Sequence, residues 1–311
     1  MQNIFSEALL ATTINLSTPI IIAVFAGLIS ERSGVINLAL EGMMLAGACA
    51  AALGSYFTGN PYIGLMASIA IGMLMALAHA YATITWRGDQ IISGLALIVA
   101  SVGGTGFILQ LIFKHGGNTP DVTTLPRIII PFLQNIPVLG VLINKQTILV
   151  YFAYLLPVLM YLFLYKTPLG MRIRACGEDP RTADTLGINV YLTRYIAVLI
   201  SGALAGLSGA YLSIVQLSKF QENMSAGRGW IAIAALILGK WRPWSVFLAA
   251  LFFGFTDAIQ LTMQVVFPDS KLPREIFLSL PYILTILVLA GFVGKAIGPA
   301  AGGKPYEKEQ L

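Results

Sequence analysis

Charge is scarce in this sequence: Asp, Glu, Lys and Arg make up 11% of 311 residues, against 57% hydrophobic residues. With a mean hydropathy of +0.81, that excludes an ordinary soluble domain, which carries about 25% charged residues. Cysteine is nearly absent. Cys49 sits in an apolar run and Cys176 in a polar one, so they are poor disulfide partners and both read as structural. The histidines, His79 and His115, have no ligand partners at metal spacing. Each reads as a lone group near the membrane interface, and no metal is assigned.

Motifs of chemistry are missing too. There is no G-x-x-x-x-G-K-[ST], so the chain does not hydrolyse ATP through a P-loop, and no H-E-x-x-H, G-x-S-x-G or Cys cluster that would support a membrane enzyme. No basic stripe is interleaved with aromatics, which argues against nucleic-acid binding. The opening "MQNIFSEALL" lacks a positive n-region and runs straight into apolar sequence, so the first span is expected to stay in the protein.

What the chain has in abundance is apolar runs of membrane-crossing length. About 20 residues cross the hydrocarbon core, and such runs lie at 9–30, 36–57, 63–85, 91–113, 147–165, 195–218, 244–266 and 276–294. A shorter piece, "WIAIAALIL" at 230–238, is about half a span. Backbone in lipid must satisfy its own hydrogen bonds, so these are helices. The expected fold is an all-α polytopic transmembrane bundle, a single domain over 1–311 with about nine spans, eight to ten. Nine crossings with the N-terminus outside put twelve of the nineteen Lys and Arg residues in the cytoplasm. If 230–238 does not cross, the split becomes nine inside against ten outside, so the positive-inside rule favours nine crossings and a cytoplasmic C-terminus. The net charge of +5 is then mostly this bias plus attraction to anionic lipid.

Segment 114–146 divides four spans from five. Pro126, Pro131 and Pro137 break its apolar clusters, the pattern of short helical pieces along the outer interface. "SGLALIVASVGGTG" (93–106) and "SGALAGLSGA" (201–210) echo each other, as internal repeats of transporters do. Gly64, Ser68, Gly72, Ala76 and Ala80 draw a small-residue seam down the third span, and Gly202, Ala205, Gly206 and Gly209 another on the sixth. Such seams call for a helix pressed against them.

Glu41 and Asp257 are the two acids placed well inside spans, where a charge costs roughly 2.5–3.5 kcal/mol and rarely faces lipid. Asn37 precedes Glu41 by four residues and shares its helix face; Asp257, Gln260 and Gln264 form a second polar stripe. Asn15, Ser17 and Thr18 lie beside Pro19, which breaks a helical hydrogen bond. These groups either satisfy one another and fix helix register or line a hydrated pathway. Mostly amides and hydroxyls, they suit a neutral polar solute.

The polar loop at 166–194 contains its own small helix. Asp179 is a natural N-cap, Pro180 fits the first position and Gly187 the residue after the last. About seven residues do not stay helical alone in water, so this helix leans on its own bundle or on a partner. Arg172, Arg174 and Arg181 around it suit acidic or phosphate groups, or simply follow the inside bias.

Four stretches in order, "SGVINLALEGMMLAGA" (33–48), "IPFLQNIPVLGVLINKQTILVY", "GEDPRTADTLGINV" and "GRGWIAIAALILGKWRPW" (227–244), resemble the membrane permeases of bacterial ABC importers in the branched-chain amino acid, ribose and nucleoside group. "GVINLALEGMM" is similar to the nucleoside branch, and the length resembles the shorter of its two permease subunits. The resemblance implies a chain of the bacterial cytoplasmic membrane that works with a second permease, a cytoplasmic ATPase that holds ATP and Mg²⁺, and a lipid-anchored solute-binding protein. No cofactor is expected in this chain. The capped helix would then couple to the ATPase through Gly177, Asp179, Pro180, Arg181, Ala183, Leu186 and Gly187. A translocation pathway for a nucleoside-like solute would use Asn15, Asn37, Glu41, Asp257, Gln260 and Gln264. The competing expectation is an ion-coupled transporter or channel with Glu41 or Asp257 as its proton or cation site; a non-transporting scaffold is a third.

Overall fold

In a computed structural model, residues 7–130, 142–266, 279, 283–284, 286 and 296–308 are described. Their helices are α1 (Glu7–Arg32), α2 (Leu40–Thr58), α3 (Pro61–Ala80), α4 (Gln90–Phe113), α5 (Ile148–Lys166), α6 (Pro168–Glu178), α7 (Pro180–Thr185), α8 (Val190–Tyr211), α9 (Arg228–Leu238) and α10 (Pro243–Val266). One π-turn (Tyr81–Thr85) continues α3 and another (Leu212–Gln216) continues α8. Seven of these helices, counting the continuations, are long and apolar enough to cross a membrane. The eighth apolar piece, α9, has 11 residues and spans about 16 Å, half the hydrocarbon core. The expected span at 276–294 lies largely outside the described residues.

Helix starts follow local chemistry. Asn60 accepts the N–H of Tyr62 ahead of α3, Asp89 those of Ile91 and Ile92 ahead of α4, and Asn189 that of Leu192 ahead of α8. Gly59, at φ +67°, closes α2 in the left-handed conformation that glycine adopts at no steric cost. α1 is buried on nearly all sides from Leu16 to Glu31 and is the central post of the bundle.

Both small-residue seams are where backbones meet. A Cβ on Gly72 would lie 2.2 Å from the carbonyl oxygen of Gly202, and one on Gly206 2.1 Å from that of Ser68. α3 and α8 therefore pack with their seams facing one another. α8 also turns Gly209 onto Met44 and Ala48 of α2.

The described residues 114–130 of segment 114–146 contain no helix, whereas 142–143 are helical; the short helical pieces expected in its second part fall mostly on residues that are not described. Thr119, Val122 and Leu125 donate backbone N–H groups to Phe220, Ser218 and Ile214, and Arg127–Ile128 (β1) pairs antiparallel with Gln146–Thr147 (β2). Proline removes a donor and favours extended backbone before it, and this stretch takes its hydrogen bonds from the π-turn after α8 and the residues that follow it. Residues 131–141, with Pro131 and Pro137, lie outside the described residues. His79, in the last turn of α3, is fully buried between helices, with Nδ1 on Ser93 Oγ at 3.0 Å and Nε2 on the Ile36 carbonyl at 3.1 Å. A ring with two partners can sit between helices at little cost.

Candidate functional site

Glu41 is not deep within a helix as expected: it is the second residue of α2, in its first turn, and 8% exposed. Its Oε1 accepts the N–H of Gly227 at 2.8 Å and its Oε2 that of Gly229 at 2.6 Å. α2 thus supplies the carboxylate that caps α9, whose first turn has unpaired N–H groups and a positive dipole end. Only glycine fits at the contact, because a Cβ on Gly229 would lie 2.5 Å from the backbone nitrogen of Glu41. Arg228, between the two glycines, lies within electrostatic reach of both Asp257 and Glu41, and its Nη1 donates to the Met224 carbonyl at 3.0 Å. Glu41 and Asp257, far apart in sequence, both act electrostatically on Arg228, without an ion pair to it among the described residues.

Asn37 takes another course. Fully buried, it donates from Nδ2 to Ser201 Oγ at 3.0 Å and accepts the N–H of Ala39 at 3.1 Å. It ties the α1–α2 turn to α8 and does not touch Glu41, although the two lie four residues apart, because helix α2 begins only at Leu40. Gln260 and Gln264 are half-buried along α10 with Asp257.

Asn15 lies elsewhere, at the end of the bundle away from Arg32. It accepts the Tyr211 hydroxyl at 3.2 Å and faces a polar cavity of about 410 Å³ under the β1–β2 pair. Ser208 Oγ donates to the Pro19 carbonyl at 2.6 Å, a tie between α8 and the proline-broken stretch of α1.

At the Arg32 end, polar contacts of four residues, Glu31, Arg32, Arg194 and Trp241, hold the bundle together. Trp241 Nε1 donates to buried Glu31 at 2.7 Å, while Arg32 donates to the Trp241 carbonyl at 2.6 and 3.0 Å. Arg194, 2% exposed, donates to the carbonyls of Ser33 at 3.1 Å, Lys304 at 3.2 Å and Cys176 at 3.4 Å. Its position at the edge of an apolar run reads as an ordinary inside-bias cation; nothing local shows that three chain segments converge on it.

The small helix α7 has its expected caps. Asp179 accepts the N–H groups of Arg181 at 3.1 Å and Thr182 at 3.2 Å, and the Thr182 hydroxyl at 2.6 Å. The hydrogen bond from the Thr182 side chain, followed by those from the backbone, holds the Asp179 carboxyl below the usual aspartate range. Gly187 is left-handed at φ +80° and donates to the Asp184 carbonyl at 2.9 Å. Ala183 packs on Cys176, Val190 and Tyr306, and burial pushes the Cys176 thiol up. Gly177 fits against the Arg32 carbonyl, 2.2 Å from where a Cβ would be. Pro180 starts α7, and Leu186, just past its end, is 75% exposed.

Residues 9–289 match the family described as branched-chain amino acid transport system / permease component. The chain is 41% identical over 307 residues to a guanosine ABC transporter permease protein of Bacillus subtilis, covering 95% of each. It is 35% identical over 314 residues to a nucleoside ABC transporter permease protein of Lactococcus lactis, covering 98% of each. A putative glucose ABC transporter permease protein of Haloferax volcanii is 36% identical over 306 residues, with 92% of each covered.

Proposed function

Because the chain belongs to the branched-chain amino acid transport system / permease component family, and is a multi-pass membrane permease subunit of an ABC importer, we propose that its solute is a nucleoside. The observation that carries the solute is the 41% identity, over 95% of the chain, to the guanosine permease. The permease is not itself an enzyme; hydrolysis belongs to the partner ATPase, where ATP and Mg²⁺ bind, and this chain carries no cofactor. A solute-binding protein, lipid-anchored and outside, delivers the nucleoside, and a second, longer permease completes the pathway. α4, with Ile92, Val99 and Phe107 more than two-thirds exposed, offers its apolar surface to lipid or to that second permease.

In this reading the whole chain is one transmembrane domain of about nine crossings in the bacterial cytoplasmic membrane. Its N-terminus is outside and its C-terminus cytoplasmic, and the echo between 93–106 and 201–210 is an internal repeat. α7 and its flanks, Gly177 to Gly187, receive the ATPase, with exposed Leu186 as the contact. Asn15, Asp257, Gln260 and Gln264 border the pathway; Asn37 and Glu41 hold the helices that bound it. Ion coupling through Glu41 finds no support, because both carboxylate oxygens are engaged by backbone N–H groups.

The test is uptake of labelled guanosine into proteoliposomes holding the chain with its second permease, ATPase and binding protein. ATP-dependent uptake is expected. Gradient-driven uptake by this chain alone would overturn the assignment.

A further inference from the structure

We propose that the polar cavity under the β1–β2 pair is a solute site that seats a 6-oxopurine nucleoside sugar-first, with the pentose at Thr147 and Asn15 and the base edge at Arg127. The inference rests on the nucleoside reading and adds the site, its orientation and its base preference.

The volume, about 410 Å³, lies in the range of small-molecule sites, roughly 300–1,000 Å³. Its deep wall is neutral. Thr147 is 3% exposed, and its Oγ1 has no hydrogen-bond partner among the described residues. A buried hydroxyl left unpaired is a net cost, which a ligand hydroxyl removes. Exposed Asn15 also lines the cavity; buried Tyr211 donates its hydroxyl to Asn15 Oδ1, which leaves the Nδ2 of Asn15 as a donor. Hydroxyl and amide together match the vicinal hydroxyls of a pentose, which both donate and accept.

The rim is different. Arg127 and Lys145 are exposed cations, and no carboxylate is among the described lining residues. Arg127 is the direct antiparallel partner of Thr147, so the two side chains share one face of the ladder. That places a guanidinium fork above the unpaired hydroxyl. The fork is matched by two adjacent acceptors, as the O6 and N7 of a 6-oxopurine present; adenine offers a donor at the 6 position instead. The cations at the rim are solvated, so they do not require an anion in the cavity.

The experiment titrates guanosine, adenosine, ribose, guanine and guanosine monophosphate into the assembled transporter in nanodiscs without its binding protein. Wild type, Thr147→Val and Arg127→Gln are compared. Guanosine should bind the wild type more tightly than adenosine. Thr147→Val, nearly isosteric, should weaken guanosine and ribose by about fivefold, the loss of one neutral hydrogen bond, and leave guanine unchanged. Arg127→Gln should weaken guanosine by about tenfold, the loss of a charged donor, and leave ribose unchanged.

Wild-type binding in both variants would overturn the site. An equal loss of guanine and ribose in Thr147→Val would overturn the orientation, and so would monophosphate binding tighter than guanosine and dependent on Arg127. ATP-driven guanosine uptake by the wild-type complex separates the two readings. If uptake is present and both variants bind normally, the cavity proposal alone fails; if uptake is absent, the nucleoside reading fails.

Discussion

Glu41 and Gly229 meet through both side chain and backbone: Oε2 of Glu41 accepts the N–H of Gly229 at 2.6 Å, and the glycine leaves no room for a methyl group between the two helices. The short helix α9 therefore starts on α2, and any movement of α2 moves the start of α9. Glu41→Ala should remove two charge-assisted bonds and destabilise the protein by at least about 1.5–3 kcal/mol, the worth of one. Glu41→Gln, which keeps an acceptor oxygen, should lose less. Thermal unfolding in detergent ranks the three proteins, and equal stability of wild type and Glu41→Ala would contradict the cap.

The α3–α8 seam makes a second test. A side chain at Gly202 would meet Ala76 Cβ at 2.3 Å and the Gly72 carbonyl at 2.4 Å. Gly202→Val should cost about 1–3 kcal/mol or more by overpacking. The expected sign is a lower yield of folded monodisperse protein on size exclusion. Gly103, where a Cβ would meet nothing, should accept Ala without loss.

Arg194 anchors three carbonyls from three segments. Arg194→Met should leave them unpaired at about 1–3 kcal/mol each, and Arg194→Lys should rescue only part, because a point charge lacks the fork. Hydrogen exchange reads this directly. Protection should fall at 300–304, whose N–H groups at Ala301 and Gly303 bond to the carbonyls of Gly177 and Gly34, while α10 stays unchanged.

Helix α7 predicts a pH response. The folded-state pKa of Asp179 is depressed, so its cap contributes fully above the unfolded value, about 3.9, and is lost only as pH falls through the lower folded value. Solute-stimulated ATPase activity of the assembled complex should therefore show no α7-dependent change between pH 5 and 8. Asp179→Ala should reduce that activity across the range and Asp179→Asn should largely restore it, since an amide caps comparably. Leu186→Glu should abolish stimulation while the fold is kept.

Much of this was legible in the residues themselves. Apolar runs identify the long helices because a bilayer leaves backbone no other partner. Asp179, Pro180 and Gly187 identify α7 because a cap acts over three or four residues of chain. The seams at Gly72 and Gly202 told which faces must be close, since only small residues permit backbone contact. Each of these properties is local or periodic along one element.

Tertiary structure alone decided which groups satisfy one another. Sequence periodicity put Asn37 and Glu41 on one helix face, but α2 starts between them and sends one to Ser201 and the other to Gly227 and Gly229. Arg194 looked like a surface charge until Ser33, Cys176 and Lys304 were folded around it. Thr147 and Arg127 became neighbours only through strand pairing. A buried polar group takes whichever partner the packing brings within about 3 Å, and that partner can lie anywhere along the chain.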